Sequence, residues 1–202
     1  MTGVLHTLSR IAVPFPEREV FLRLGGRTTR TAMTDAEARE YRKVALEAFE
    51  MCELRGRWAV FPARAEETGV RLDDGTLIPG TQFARRSAGI RAVWCGAVTA
   101  GAKITAARDA GGPVARSAVY DAVGGECADA GMAFMQRQAA TQLRSGALGL
   151  RESRYSPGYG DMPLEVQKFF FARLKLEELG MKLDEHCFML PEKSVTAFAG
   201  VD

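Results

Sequence analysis

The sequence predicts an α+β domain built on a mainly antiparallel sheet. Three observations carry this. The strand-like runs return through hairpins or irregular connections, and not through regular βαβ units. The run "VRLDDGTLI" places Asp74-Gly75 between apolar residues, a short-range hairpin signal. No internal repeat or low-complexity tract points to a solenoid or a tail.

The elements follow in order. "FPEREVFLRLGG" has Pro16 near a helix start and Gly25-Gly26 at its end. "TDAEAREYRKVALEAFEMCEL" opens with Thr34 and Glu37 at capping-box spacing, and Tyr41, Val44, Ala45, Ala48 and Cys52 recur on one helical face. "RWAVFPARA" reads as a strand in which Pro62 implies an edge or a bulge. "IRAVWCGAV" reads as a strand buried on both faces, and "AGAKITAARDAGG" as a short helix stopped by glycines. From Pro113 to about Ser145 the pattern is helical and rich in small residues. Gly124-Gly125 either break this helix or sit on a face that other backbone approaches closely. Each mid-helix glycine costs roughly 1 kcal/mol against alanine, which favours a packing reason. "PLEVQKFFFARLKLEELG" predicts one further helix from Pro163 to Gly180, with Val166, Phe169, Phe170 and Leu174 on its apolar side. Pro191-Glu192-Lys193 then turns between two strands, the second being the alternating "SVTAFAGV".

The 202 residues suit one domain, and 47% apolar residues suffice for a core. A net charge of +2 argues against a nucleic-acid binder, which carries a stronger, clustered basic excess. The longest charge-free run, Ala92 to Ala102, is too short to span a bilayer, and Arg10 follows only a few apolar residues, so no membrane span and no signal segment is expected. Cys52, Cys95, Cys127 and Cys187 form no CxxC and sit among apolar residues. They read as reduced, buried small hydrophobes of a cytoplasmic protein, without a catalytic or metal role. A Cys–His nucleophile lacks a placed base, since His6 and His186 are the only histidines and strand neighbours such as His186 and Cys187 face opposite ways.

One stretch asks for more than a connector: "ESRYSPGYGDMPLEVQ", Glu152 to Gln167. Ser156-Pro157-Gly158-Tyr159 fits a type II turn, with glycine where φ is positive. Such a loop holds backbone amides and carbonyls in fixed directions. Arg154 can clasp a carboxylate bidentately, and a tyrosine can cover a flat ring or a cation. Together they suit a small ligand with a carboxylate, a positive centre and an aromatic ring, although the same residues also describe an ordinary turn.

"RYSPGYGDMPLEVQ" followed by "ELGMKLDEHCFMLPEKSVTAF" resembles the activation (reactivation) domain of cobalamin-dependent methionine synthase, in its short, free-standing type. "REVFLRLGG" and "YDAVGGECADAG" resemble that type's opening helix and the helix before its ligand loop. The resemblance implies a curved, mainly antiparallel sheet with flanking helices. It implies a single domain over 1–202, with a helical part at about 1–56 and the main sheet and ligand loop at about 57–202. It implies binding of S-adenosylmethionine and action on a separately encoded corrinoid methionine synthase, whose cobalamin is reduced by a flavodoxin- or ferredoxin-like donor and then methylated. Arg154, Pro157, Gly158 and Tyr159 match the family motif. Tyr155 and Ser156 fall at variable positions, where only their backbone is expected to contribute. Asp129 lies where the family has a glutamate; it either holds the ligand's ammonium or is a solvent-facing helix charge. Long family members continue past the terminal strand with ligand-contacting tyrosines, so with the sequence ending at Asp202 those contacts are expected to be missing or supplied elsewhere. The alternatives are a docking module that binds no S-adenosylmethionine and a reactivator of another corrinoid methyltransferase system.

Overall fold

In the computed structural model, which describes residues 3–25, 34–110 and 113–202, the apolar run "AVWCGAVT" becomes the strand from which the architecture grows. This strand, β5 (Ala92–Thr99), is buried along its whole length. It pairs with β2 (Arg55–Ala65) on one side and β8 (Ser194–Val201) on the other. β3 (Gly69–Leu72) and β4 (Leu77–Pro79) extend the sheet beyond the far half of β2, and β1 (His6–Leu8) pairs with its near half. Every pairing is antiparallel, and the sheet curls into a half-barrel flanked by helices. The predicted fold class therefore stands.

The period-2 geometry of strands divides the core in two. Trp58, Trp94, Val98, Ala197 and Ala199 face a cluster completed by α1 (Glu17–Arg23), α2 (Asp35–Glu50), α4 (Ala102–Asp109) and α5 (Val114–Arg144). Ala59, Val93, Cys95, Ala97 and Phe198 face the other side. There they meet Phe83 of α3 (Thr81–Arg86) and Phe170 and Leu174 of α6 (Gln167–Leu174). β8 is buried on both faces, so its alternation is one of residue size and not of polar against apolar. The first 56 residues join this architecture directly: β1 enters the sheet, and α1 and α2 pack on α5.

Helix α5 runs unbroken through Gly124-Gly125. A Cβ on Gly131 would lie 3.1 Å from Val98 Cγ1 and 3.4 Å from Leu54 Cδ2, and one on Gly124 would lie 2.8 Å from Lys193 Cγ. The small face is thus a contact face, as the cost argument indicated, but what approaches it is the side chains of Lys193, Ile104, Arg23, Val98 and Leu54 and not backbone. The capping box of α2 forms as read, with Glu37 N–H donating to Thr34 Oγ1 at 3.3 Å and Thr34 N–H donating back to Glu37 at 2.8 Å.

One reading changes. The single helix from Pro163 to Gly180 is three pieces: a 3-10 turn at Leu164–Val166, then α6, then a second 3-10 turn at Leu176–Leu179. The break lies at Lys175, whose φ is 49°. Arg57 compensates it by donating to the carbonyls of Leu174 and Lys175 at 3.1 and 2.8 Å, a long-range tie that periodicity cannot show. Pro191-Glu192-Lys193 does turn between two strands, which belong to different sheets: β7 (Met189–Leu190) pairs with β6 (Lys182–Leu183) and β8 with β5. Pro62 lies inside β2, where β5 pairing hands over to β3. Its carbonyl accepts from Asp73 N–H at 3.1 Å on the side where β3 pairing ends, so the missing N–H breaks no rung there. Gly26, Gly111 and Gly112, read as helix stops, lie outside the described residues.

Candidate functional site

The loop after α5 is fixed from three directions. From β8, Phe198 exchanges two hydrogen bonds with Tyr155: Tyr155 N–H to Phe198 O at 2.9 Å, and Phe198 N–H to Tyr155 O at 2.8 Å. From α5, the buried Gln136 side chain donates to the carbonyls of Arg151 and Glu152 at 2.8 and 3.2 Å. From α3, which begins at Gly80 and has no cap of its own, Thr81 and Gln82 donate to the Asp161 carboxylate at 2.6 and 3.3 Å. Those bonds, the Thr81 hydroxyl's foremost, hold the Asp161 carboxyl below its ordinary pKa.

Between these ties runs the predicted turn. Tyr159 N–H donates to Ser156 O at 3.2 Å, and Gly158 has φ +85°. That is the backbone a type II turn requires at its third position. Pro157 is buried, Gly158 is exposed, and the Tyr159 side chain projects with 69% exposure. Tyr155 is buried, its ring stacked on Phe83 at 5.5 Å and its hydroxyl donating to Tyr159 O at 3.1 Å.

Gln82, Arg86, Arg154, Tyr155, Ser156, Tyr159 and Gly160 line a cavity of about 240 Å³. Arg154 is half-buried, with no hydrogen bond or ion pair among the described residues. Arg57, Arg108 and Arg151 each hold carboxylates or carbonyls, whereas half-buried Arg55 resembles Arg154 in having none among the described residues, its Nε covered without a hydrogen-bond partner. Arg86 places its guanidinium carbon 5.8 Å from the centre of the Tyr155 ring.

Asp129 sits on α5 within the electrostatic reach of Arg154. Burial, followed by repulsion from Glu126, raises its carboxyl pKa, while Arg154 and Arg23 pull against that rise. Arg23 of α1 donates to Glu126 at 2.5 Å and stands 3.8 Å from Asp129. The Asp129 side chain is 45% exposed, with Arg23 3.8 Å away, Arg154 within electrostatic reach and the Glu126 carboxylate beside it.

The structure thus brings Arg154, Tyr155, Ser156 and Tyr159 around one cavity, whereas Asp129 does not line it. Pro157 and Gly158 shape the turn and do not line the cavity. The Tyr155 backbone, which the sequence reading offered to a ligand, is engaged by Phe198; its ring reaches the cavity instead. Gln82, Arg86 and Gly160 were not anticipated. The first two come from α3, a helix of only six residues whose start is capped from across the loop, so no local signal announced it. Among the described residues no His/Cys/Asp/Glu group could hold a metal ion, and no helix is long and apolar enough to cross a membrane.

No protein-family model matches the chain, and neither does any curated protein. Among solved structures the chain is similar to the MetH reactivation domain bound to AdoHcy, with a TM-score of 0.67 and 16% identity, over 98% of this chain and 78% of that one. Its curled antiparallel sheet and flanking helices are the fold of that reactivation domain.

Proposed function

We propose that the chain binds S-adenosylmethionine at the Arg154 loop and presents its methyl group to a corrinoid carried by a partner methionine synthase. The observation that carries this is Arg154: a half-buried guanidinium without a partner among the described residues, on a loop tied down at either side. A half-buried charge left unpaired carries a desolvation cost, which a ligand carboxylate would offset. An α-amino acid head offers a carboxylate and an ammonium one carbon apart. Arg154 and Asp129, coupled through their charges, match that pair in sign. Exposed Tyr159 offers a face for the adenine ring. The similar solved domain was captured with AdoHcy, the demethylated form of that ligand.

A cavity of about 240 Å³ is smaller than the roughly 300–1,000 Å³ of most small-molecule sites. It encloses part of such a ligand and leaves the rest, sulfonium included, to face a partner. The chain's own residues then bind and orient, a contribution of proximity and not of acid–base chemistry. The partner's corrinoid supplies the nucleophilic metal, and a flavodoxin- or ferredoxin-like protein supplies the electron.

The test is calorimetric titration with S-adenosylmethionine, followed by mixing with a cognate oxidised corrinoid protein, a low-potential reductant and methyl-labelled S-adenosylmethionine. Label should reach the corrinoid only when this chain is present. Transfer at the same rate without it removes the proposal. Binding to the corrinoid protein with no heat from S-adenosylmethionine leaves the docking-module reading in its place.

A further inference from the structure

Arg154 shares its cavity with a second guanidinium. Arg86, in the last turn of α3, borders the same space of about 240 Å³. Its side chain is exposed and makes no hydrogen bond or ion pair among the described residues. What the guanidinium meets is the Tyr155 ring, 5.8 Å from the ring centre. That ring is itself held, stacked on Phe83 at 5.5 Å with its hydroxyl donating to Tyr159 O at 3.1 Å. The Arg86 backbone is held as well, its carbonyl accepting from Arg151 Nη1 at 2.7 Å, three residues before Arg154. Gln82, four positions earlier, lies on the same face of α3 as Arg86, and both line the cavity. None of the described residues that line it is acidic. Asp161, at the far end of the loop, is taken up by Thr81 and Gln82 at the start of α3.

We propose that Arg86 and Arg154 form a two-guanidinium site for one anionic group, which on the function proposed above is the carboxylate of S-adenosylmethionine. The name of the ligand rests on that reading; the sign of the site does not. Two like charges beside one small cavity repel each other, and an anion between them turns that repulsion into attraction. A carboxylate has about four lone-pair positions on its two oxygens, so it can accept from both forks at once. Arg86 thereby becomes a specificity residue supplied by α3, outside the Arg154 loop. The arrangement also sets the ligand's direction. The sulfonium is positive, so the two guanidiniums repel it while they draw the carboxylate in. The methyl group is left facing out of the cavity, where a partner must collect it. A ligand that differs only in lacking the carboxylate gains nothing from Arg86.

The experiment compares the whole chain with Arg86→Ala, using three probes. S-adenosylmethionine and its decarboxylated analogue are titrated by calorimetry. Inorganic sulfate is set against chloride at equal ionic strength in a thermal melt. Arg86→Ala should weaken S-adenosylmethionine by about fivefold or more, the loss of a charge-assisted contact at an exposed side chain. The decarboxylated analogue should bind wild type and variant equally, and more weakly than S-adenosylmethionine binds the wild type. Sulfate should raise the melting temperature of the wild type more than that of the variant. Unchanged affinity of the variant for S-adenosylmethionine overturns the proposal. So does an equal loss with the decarboxylated analogue, which would set Arg86 against another part of the ligand. A wild type that gives no heat with S-adenosylmethionine but an Arg86-dependent response to sulfate keeps the anion site and removes the ligand named above. Neither heat nor an Arg86-dependent response overturns both. Arg86→Gln, which removes the charge and keeps much of the side chain's length, should match the alanine variant and decides where that variant does not fold.

Discussion

Arg154→Ala separates a binding arginine from a structural one. Arg154 holds no partner among the described residues, while the loop around it is fixed by Gln136, Phe198 and Asp161. Truncation should therefore leave the unliganded melting temperature nearly unchanged. It also removes the positive charge that pulls the Asp129 carboxyl down. With S-adenosylmethionine the variant loses one or two charge-assisted hydrogen bonds, each about 1.5–3 kcal/mol. Affinity should fall at least about tenfold, since roughly 1.4 kcal/mol is a decade. Arg154→Lys should recover only part of this, because a point ammonium lacks the planar fork. The assay pairs calorimetric affinity with a thermal melt on the same protein. A drop of many degrees in the melt with unchanged affinity would refute the reasoning, because it would show that Arg154 ties the fold and not a ligand.

Other consequences follow from the same geometry. Asp129 has a raised folded pKa, so its contribution to stability is present below the ordinary aspartate range and is lost as pH rises through the raised value. Asp129→Asn should then melt no lower than the parent at neutral pH, yet bind S-adenosylmethionine more weakly. In the parent, affinity should decline on acidification at a pH above the ordinary aspartate pKa of about 3.9; an affinity flat down to that value would deny Asp129 a ligand role. Gln136→Leu strips its donors from the part-buried carbonyls of Arg151 and Glu152 and should cost about 1 kcal/mol or somewhat more, read by chemical denaturation, with affinity for S-adenosylmethionine falling as well. Asp161→Ala uncaps α3 and should lower the melting temperature, and an unchanged melt would show that α3 holds its start by other means. Gly131→Leu forces a side chain between α5, Val98 and Leu54 and should cost about 1–3 kcal/mol by overpacking, or roughly 2–4 °C of melting temperature for each kcal/mol.

What the sequence disclosed follows from the range of the interactions involved. The α2 capping box, the hairpin at Asp74-Gly75 and the turn at Ser156–Tyr159 are each set by residues within about four positions of one another, and each formed as read. The break at Lys175 answers to Arg57, over a hundred residues away, and periodicity read it as continuous helix. The start of α3 answers to Asp161, eighty positions on. The site divides along the same line. Its loop was legible as a motif, whereas its opposite wall, Gln82 and Arg86, was not.

That wall bears on how the loop works. Arg151, three residues before Arg154, donates to Arg86 O and Ala88 O at 2.7 and 2.8 Å, and Asp161, seven residues after it, accepts from the start of α3. Both ends of the loop are therefore fastened to the helix that faces it across the cavity. Wall and loop are set relative to each other during folding, so ordering them takes nothing from the free energy of binding. Positioning is the one contribution proposed for this chain, and it tolerates little looseness, since misplacement by about 1 Å can cost on the order of a hundredfold in rate. Tyr159, 69% exposed at the rim, is one of the lining residues open to solvent, with Gln82 and Arg86. On the function proposed above, Tyr159 would meet both the ligand's ring and the surface of a partner that takes the methyl group.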